Sequence, residues 1–476
     1  MEWQAIAAAW NTCRRPVNGS HRQLLPAPIC DKLRHIVTSH PTAMILPTRS
    51  FPLLRACSAW AFAALMGFGI PASAAPDATV WAQVQSQKQP LLNTVRDLVA
   101  IESGSGDRAG LDQISQLIHD RLQALGGTAE FIEPPAETYR MHDTPVKVGR
   151  MVKATFRGTG TKKILLIAHM DTVYLKGMGA KQPFRIDGNK AYGLGIGDDK
   201  AGIAVILHTL AILQNMQFKD YGQLTVLING DEEISSPASR GTLTQLGAEH
   251  DLTMSHEGSP VSQDHLSLAT AGIAAVTLKV TGKASHAGSA PERGLNAIYE
   301  LSHQLLQTRN FSDPSKGVKM NWTMISGGTN RNVIPAQAQA AADVRVERLE
   351  DYAGLETRIR QTLQNQLIPG TQVAMNFEQR RPPLELNPAQ MVVGQHAQKI
   401  YNEIDRKLQV LDSVAGGGTD AAFAALKTRN PVLERFGLLS FGAHSNDDEY
   451  ILIDSIEPRL YLASRLIMDF SRGQVR

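Results

Sequence analysis

Two uninterrupted apolar runs, each ending in acids or a histidine, constrain this chain more than any other feature. Lys163-Ile-Leu-Leu-Ile-Ala168 runs into His169-Met-Asp171, and Gln223-Leu-Thr-Val-Leu-Ile-Asn229 runs into Gly230-Asp-Glu-Glu233. Odd and even positions are both apolar, so each run is expected to be a strand covered on both faces. Between them, Gly202–Leu213 repeats at helical spacing. Strand, helix, strand is the rhythm of an α/β sheet flanked by helices. Such sheets place their sites at the carboxyl ends of the strands, where both polar clusters stand.

Helical patterns at Val80–Ile101 and Gly110–Leu125 precede this unit, and a different texture follows it from about Gly272. Ala275–Thr281 alternates apolar and polar residues, as do Asn321–Ile325 and Gln337–Val346, with a helical stretch at Gly294–Thr308. Alternation implies a sheet with one solvated face. Near Pro382 the doubly buried pattern returns. The expected organisation is a catalytic domain in two parts, 75–270 and 383–476, interrupted by an α+β insert at 271–382.

The first 74 residues read differently. Arg49 and Arg55 precede the fifteen-residue apolar stretch Ala56–Ile70, and Ala72-Ser73-Ala74 is a small-residue cleavage pattern. Residues 44–74 are therefore expected to be a signal peptide, too short for a stable membrane span. Residues 1–43 lack apolar periodicity and are expected to be an upstream extension before a start at Met44. The expected address is periplasmic or secreted, with no stable membrane insertion once the signal is cleaved. Removing this segment also removes the basic character. It holds seven Lys and Arg against two acids, leaving 41 basic and 43 acidic residues from position 75 onward. A body with a formal charge of −2 gives no reason to expect nucleic acid. Cys13, Cys30 and Cys57 are the only cysteines, so a catalytic thiol, a zinc ribbon and a disulfide framework are excluded from the body.

The polar clusters are ambiguous singly. In His169-Met-Asp171 the two side chains face the same way in extended chain, so Asp171 can reach the imidazole of His169. Gly193-Leu-Gly-Ile-Gly-Asp198-Asp199-Lys200-Ala-Gly202 lacks the spacing of a phosphate loop or a dinucleotide fingerprint. Taken by itself, its aspartate pair reads first as a helix N-cap. The three acids Asp231–Glu233 repel one another at the mouth of an apolar strand and need a cation to offset that. Ser255-His-Glu257-Gly and Gly442-Ala-His444-Ser-Asn-Asp-Asp-Glu449-Tyr could each be ordinary loop polarity. Together, two histidines (169 and 444) and three carboxylates (198, 233 and 257) at the ends of elements in one sheet form a nitrogen and oxygen set. That set suits a pair of zinc ions when one carboxylate bridges.

The order HMDTV, GxGxxDDKAG, GDEE, HEG, GKASHAG, GGTNRNVIPAQAQAAADVR, GGGTDA and GAHSNDDEY resembles the M20 family of dinuclear zinc peptidases, and within it the secreted bacterial glutamate carboxypeptidases. The resemblance spans Val80–Arg476. It implies a zinc-exopeptidase catalytic domain, a mixed sheet with helices on both faces, and an inserted α+β lid and dimerisation domain. It implies two Zn²⁺ per subunit bridged by Asp198 and a water or hydroxide, one ion completed by His169 and Glu257, the other by Glu233 and His444. Glu232 would be the general base and Asp171 would orient His169. His286 would reach the partner subunit's site and steady the oxyanion in a homodimer built through the lid. Asn332, Arg345 and Arg381 would hold the carboxylate end of a small peptide or N-acyl amino acid, with the doubled Arg380-Arg381 leaving the choice of guanidinium open. A cis peptide between Asp198 and Asp199 is also implied. The expected reaction is hydrolysis of the amide to a C-terminal amino acid, glutamate favoured. An N-acyl-amino-acid deacylase or dipeptidase on the same scaffold is the alternative. A binding protein without catalysis would need a missing ligand or base, and every matching position is filled.

Overall fold

The computed structural model describes residues 75–445 and 447–475. The expected signal peptide and upstream extension lie outside the described residues. The described residues belong to one compact unit.

Its centre is a six-stranded mixed sheet, in the order Thr128–Ile132, Met151–Arg157, Gln223–Asn229, Lys163–His169, Leu252–Ser255 and Val432–Leu433. The first two pairings are antiparallel and the rest parallel. Both apolar runs occupy its middle and are buried on both faces, for a readable reason. Ile164, Leu166 and Ala168 enter one core with Leu224, Val226 and Ile228, packed on the helices Ala78–Val99, Ala201–Asn215 and Ile456–Ser471. The alternate residues Leu165, Ile167 and Leu227 enter a second core with Leu243, Leu246 and Phe423. At about 25 cal/mol per Å² of apolar surface removed from water, two covered faces stabilise each strand twice over. Among the described residues, no helix is long and apolar enough to cross a membrane.

A four-stranded antiparallel sheet lies in the expected insert, in the order Lys319–Gly327, Gln337–Val346, Gly272–Thr281 and Gln372–Arg381. One face has its own core, in which Ala274, Val276, Leu278 and Val280 meet Leu301 and Ile359 from the helices Ala297–Thr308 and Asp351–Thr362. The other face, with Ala275, Thr277 and Lys279, is half-buried to exposed. Thr270 pairs with Leu384, so the chain enters and leaves the insert side by side.

One irregularity in this sheet bears on function. Ile273 pairs with Arg381, whereas Ala274 pairs with Gln379, so Arg380 is the extra residue of a β-bulge. Ile273 also pairs with Arg345 on its other side. Residues directly opposite one another share a face. The bulge therefore sets Arg381, not Arg380, on the face of Arg345, and turns Arg380 toward Asp143 and Glu378.

Candidate metal centre and active site

Three neighbouring strand ends deliver most of the polar clusters. In register, His169 lies opposite Asn229, and Ile167 opposite Ser255. The chain leaves these strands as Gly230–Glu233 and His256–Gly258, so His169, Glu232, Glu233 and Glu257 open onto one edge. Asp198 arrives from the loop before the helix Ala201–Asn215. Neither aspartate caps that helix: both have non-helical backbone angles, and the peptide bond between them is cis. His444 comes from a turn after the strand Leu439–Phe441, with a left-handed φ of 65°.

Two groups of three possible metal ligands result, His169 with Asp198 and Glu257, and Asp198 with Glu233 and His444. Asp198 belongs to both, one oxygen turned to each. Its Oδ1 is 3.0 Å from His169 Nε2, and its Oδ2 is 3.4 Å from His444 Nε2. His169 Nε2 lies 3.6 Å from Glu257 Oε1, and His444 Nε2 3.2 Å from Glu233 Oε2. Ligands about 2.0–2.2 Å from a tetrahedral zinc stand about 3.3–3.6 Å from one another, so the donor set fits two such ions sharing one carboxylate.

Electrostatics point the same way. Burial pushes the Glu257 carboxyl up to about 8, with Asp198 and Glu434 adding to it against the pull of His169. Glu233 is raised by burial and by Asp198, and Asp199 by burial and by Glu257. Hydrogen bonds to Asp198 and Glu233 raise His444 to about 10. Of these carboxylates, Asp198 alone is lowered, against its burial, by hydrogen bonds to His169 and His444, and the raised carboxyls are short of the counter-charge that a dication supplies.

The turn carrying Glu232 is held from below. Asp171 Oδ1 accepts from the Glu232 amide at 3.0 Å, and its Oδ2 accepts from the Glu233 amide at 3.1 Å and the Ser105 hydroxyl at 2.7 Å. Asp171 also stands against His169. The partner nearest His169 Nδ1 is the main-chain carbonyl of Asp171, at 3.1 Å, while the carboxylate stands 3.4 Å away. The carboxylate thus anchors the Glu232–Glu233 turn while carboxylate and carbonyl both stand beside the His169 ring. Glu232 is buried and ion-paired with Arg381, Oε1 to Nη2 at 2.7 Å. Burial raises its carboxyl, against the pull of Arg381.

Of the insert residues, His286, Asn332 and Arg345 bond to neighbours outside this cluster, and only Arg381 reaches into it. His286 is exposed, and its Nδ1 accepts from the amides of Gly288 and Ser289, both at 3.1 Å. A neutral ring accepting at Nδ1 carries its proton on Nε2, which leaves an outward donor. Asn332 is exposed just before the short strand Val333–Ile334, which pairs with Ser285–His286, and its carbonyl accepts from the Ala287 amide. Arg345 pairs with Asp343 at 2.9 Å and donates to the Gly416 carbonyl at 3.2 Å. Arg381, expected against the substrate, is instead 4% exposed and committed to Glu232 and Asp420.

Glu449 and Asp420 carry no expected role, although both stand inside quoted motifs. Glu449 is buried and accepts from the amides of Gly195 and Gly197, both at 2.8 Å, and from the Tyr174 hydroxyl at 2.6 Å. Tyr174 also lies 2.8 Å from the Ser445 carbonyl, so the loops of Asp198 and His444 share one support. An acid five residues beyond a candidate ligand was the available signal.

Beside this fold and its two candidate ligand groups stands a family match: peptidase family M20/M25/M40 matches residues 165–469. The chain belongs to that family. It is 41% identical over 393 residues to carboxypeptidase G2 of Pseudomonas sp. (strain RS-16), covering 82% of this chain and 92% of that one. Over 275 residues it is 28% identical to acetylornithine deacetylase of Photorhabdus laumondii subsp. laumondii, covering 54% and 67%. The aminopeptidase PepT from Bacillus cereus shares the fold, with a TM-score of 0.65 at 21% identity over 80% of this chain and 98% of that one.

Proposed function

We propose that this M20 peptidase is a zinc-dependent metallo-carboxypeptidase that hydrolyses the amide bond to a C-terminal amino acid, glutamate favoured, with Glu232 as general base. The observation that carries this reading is the sharing of Asp198 between two ligand groups beside a buried, unligated Glu232. The 41% identity to carboxypeptidase G2 favours a carboxypeptidase, and glutamate rests on the motif resemblance.

His169, Asp198 and Glu257 would hold one zinc, and Asp198, Glu233 and His444 the other. Bound there, the pair supplies Lewis acidity that lowers the pKa of water and offsets charge developing on the amide oxygen. Glu232 takes the proton from the attacking water on its carboxylate and returns it to the leaving amine nitrogen. Its turn is anchored through Asp171, so the base is positioned before substrate arrives. Nε2–H of His286 is the donor for the amide oxygen, reaching a neighbouring subunit's site in a dimer built through the insert. Arg345 and Asn332 hold the terminal carboxylate, for which a planar guanidinium fork is suited. Residues 44–74 would direct the enzyme to the periplasm or beyond.

The deacetylase likeness keeps a second reading in view, removal of a short acyl group from an amino acid. Zinc-loaded protein assayed on N-acyl amino acids that differ only in the C-terminal residue separates the two. Glutamate release should be fastest and N-acetylornithine a poor substrate. Faster cleavage of N-acetylornithine would replace the first reading with the second.

A further inference from the structure

Arg381 stands at the end of the insert's last strand, yet every partner of its guanidinium belongs to the catalytic part. Its Nη1 contacts Asp420 Oδ1 at 3.0 Å and Ser236 Oγ at 3.3 Å. Its Nη2 pairs with Glu232 Oε1 at 2.7 Å and donates to the Glu232 carbonyl. Asp420 is fixed in turn, with the Ser236 hydroxyl on Oδ1 and Asn229 Nδ2 on Oδ2 at 2.7 Å. The Arg381 backbone is also held, its carbonyl accepting from the buried Tyr352 hydroxyl at 2.6 Å. A clamp for a substrate carboxylate must present one edge of its fork to the cleft. Both terminal nitrogens of this fork are already spent, on a residue that is 4% exposed. Arg345 contrasts with it: it shares the register position across Ile273, is half-buried, and is tied to its near neighbour Asp343 and one loop carbonyl.

We propose that Arg381, braced by Asp420, is a positioning residue for Glu232 and does not bind the substrate's carboxylate. This rests on the assignment of Glu232 as general base. The guanidinium holds Glu232 by both its carboxylate and its carbonyl, fixing the side chain and the turn that carries it. The β-bulge at Arg380 is what brings the fork inward, since it sets Arg381 in register with Ile273. The arrangement also ties the insert to the base, because the residue holding Glu232 is the last of the insert's strand.

The test compares Arg381→Ala, Arg381→Lys and Asp420→Asn in the zinc-loaded full chain, on an N-acyl glutamate and on its α-carboxamide. A positioning role predicts that Arg381→Ala lowers kcat about 10²-fold, the scale of a small misplacement of a catalytic group. KM should stay within about threefold, and both substrates should lose the same factor, since the shared base is affected. Arg381→Lys should recover part of kcat, and Asp420→Asn should lower it with Arg381 still present. Zinc content, by elemental analysis, should not change. A crystal structure of Arg381→Ala should show the Glu232 carboxylate displaced. The proposal is overturned if KM for the carboxylate substrate rises about 10²-fold while carboxamide turnover and the Glu232 position are unchanged, the signature of a clamp. Should Arg381→Ala fail to fold, Arg381→Lys and Asp420→Asn carry the same kcat against KM comparison. Wild-type protein that cleaved no N-acyl glutamate would refute the functional reading instead, and the position of Glu232 in the variant would still decide this one.

Discussion

The two main sheets obey the same rule of side-chain alternation and put it to opposite uses. In the six-stranded sheet, Leu165 and Leu166 point to opposite faces and both are fully buried. In the four-stranded sheet, Leu278 is fully buried while its neighbour Thr277 is only half-buried. A strand gripped from both sides holds its end still, and three candidate metal ligands, His169, Glu233 and Glu257, stand at or just beyond such ends. A sheet covered on one side keeps a surface free for something that comes and goes, and His286, Asn332 and Arg345 belong to that part. The centre that must be rigid and the surface that must adapt are thus built from differently covered strands.

The sharpest way to break this division is to remove one residue from each side. Asp198→Ala should abolish turnover and lose both zinc ions in elemental analysis, since both ligand groups share that carboxylate. Arg345→Ala should leave two zinc ions bound and raise KM by about tenfold to a hundredfold, the loss of a charge-assisted hydrogen bond pair. If Arg345→Ala lost metal, the insert would be part of the centre and the division would be wrong.

Stability carries the same contrast at smaller scale. Leu165→Ala and Leu166→Ala should each cost about 2–5 kcal/mol by denaturant titration, because each face of that strand is core. In the insert, Leu278→Ala should fall in that range while Thr277→Ala stays within about 0.5 kcal/mol. A large cost at Thr277 would mean that its face is covered in solution.

The smallest expected effect is a dependence on pH. Burial raises Glu257 from 4.5 to about 8, and hydrogen bonds to the acids raise His444 from 6.5 to about 10. Groups whose pKa is higher in the folded state stabilise it below the unfolded value and lose that contribution as pH rises through the folded one. Metal-stripped protein should therefore lose a few degrees of Tm between pH 6 and pH 9, and zinc should restore more at pH 9 than at pH 6. A stripped protein whose Tm rises over that interval would contradict the placement of these groups.

Much of this was legible in the sequence, for physical reasons. An uninterrupted apolar run has few ways to fold, and Lys163–His169 and Gln223–Asn229 are the central strands it implied. In the four-stranded sheet, Gly272–Thr281, Lys319–Gly327 and Gln337–Val346 contain the three alternating stretches, whereas Gln372–Arg381 lies outside them. Other features had no local signal. Strands of two or three residues, such as Arg185–Asp187 and Lys190–Tyr192 in the five-stranded sheet, are too short to show a period. The bulge at Arg380 depends on pairing with a strand a hundred residues away. Asp198 and Asp199 look like helix caps until the cis bond and the non-helical angles are seen, and Asp171 reaches two backbone amides that no motif spacing discloses.

The central claim is that Glu232 is the base and Glu233 a ligand, although the two are adjacent in sequence. Glu232→Gln keeps the size of the side chain and removes its ability to take a proton. Measuring kcat and zinc per subunit on the same preparation tests the claim directly. The account predicts a loss in kcat of about 10²–10⁴ with two zinc ions retained. A Glu232→Gln protein that retained only one zinc would contradict it and exchange the roles of the two glutamates.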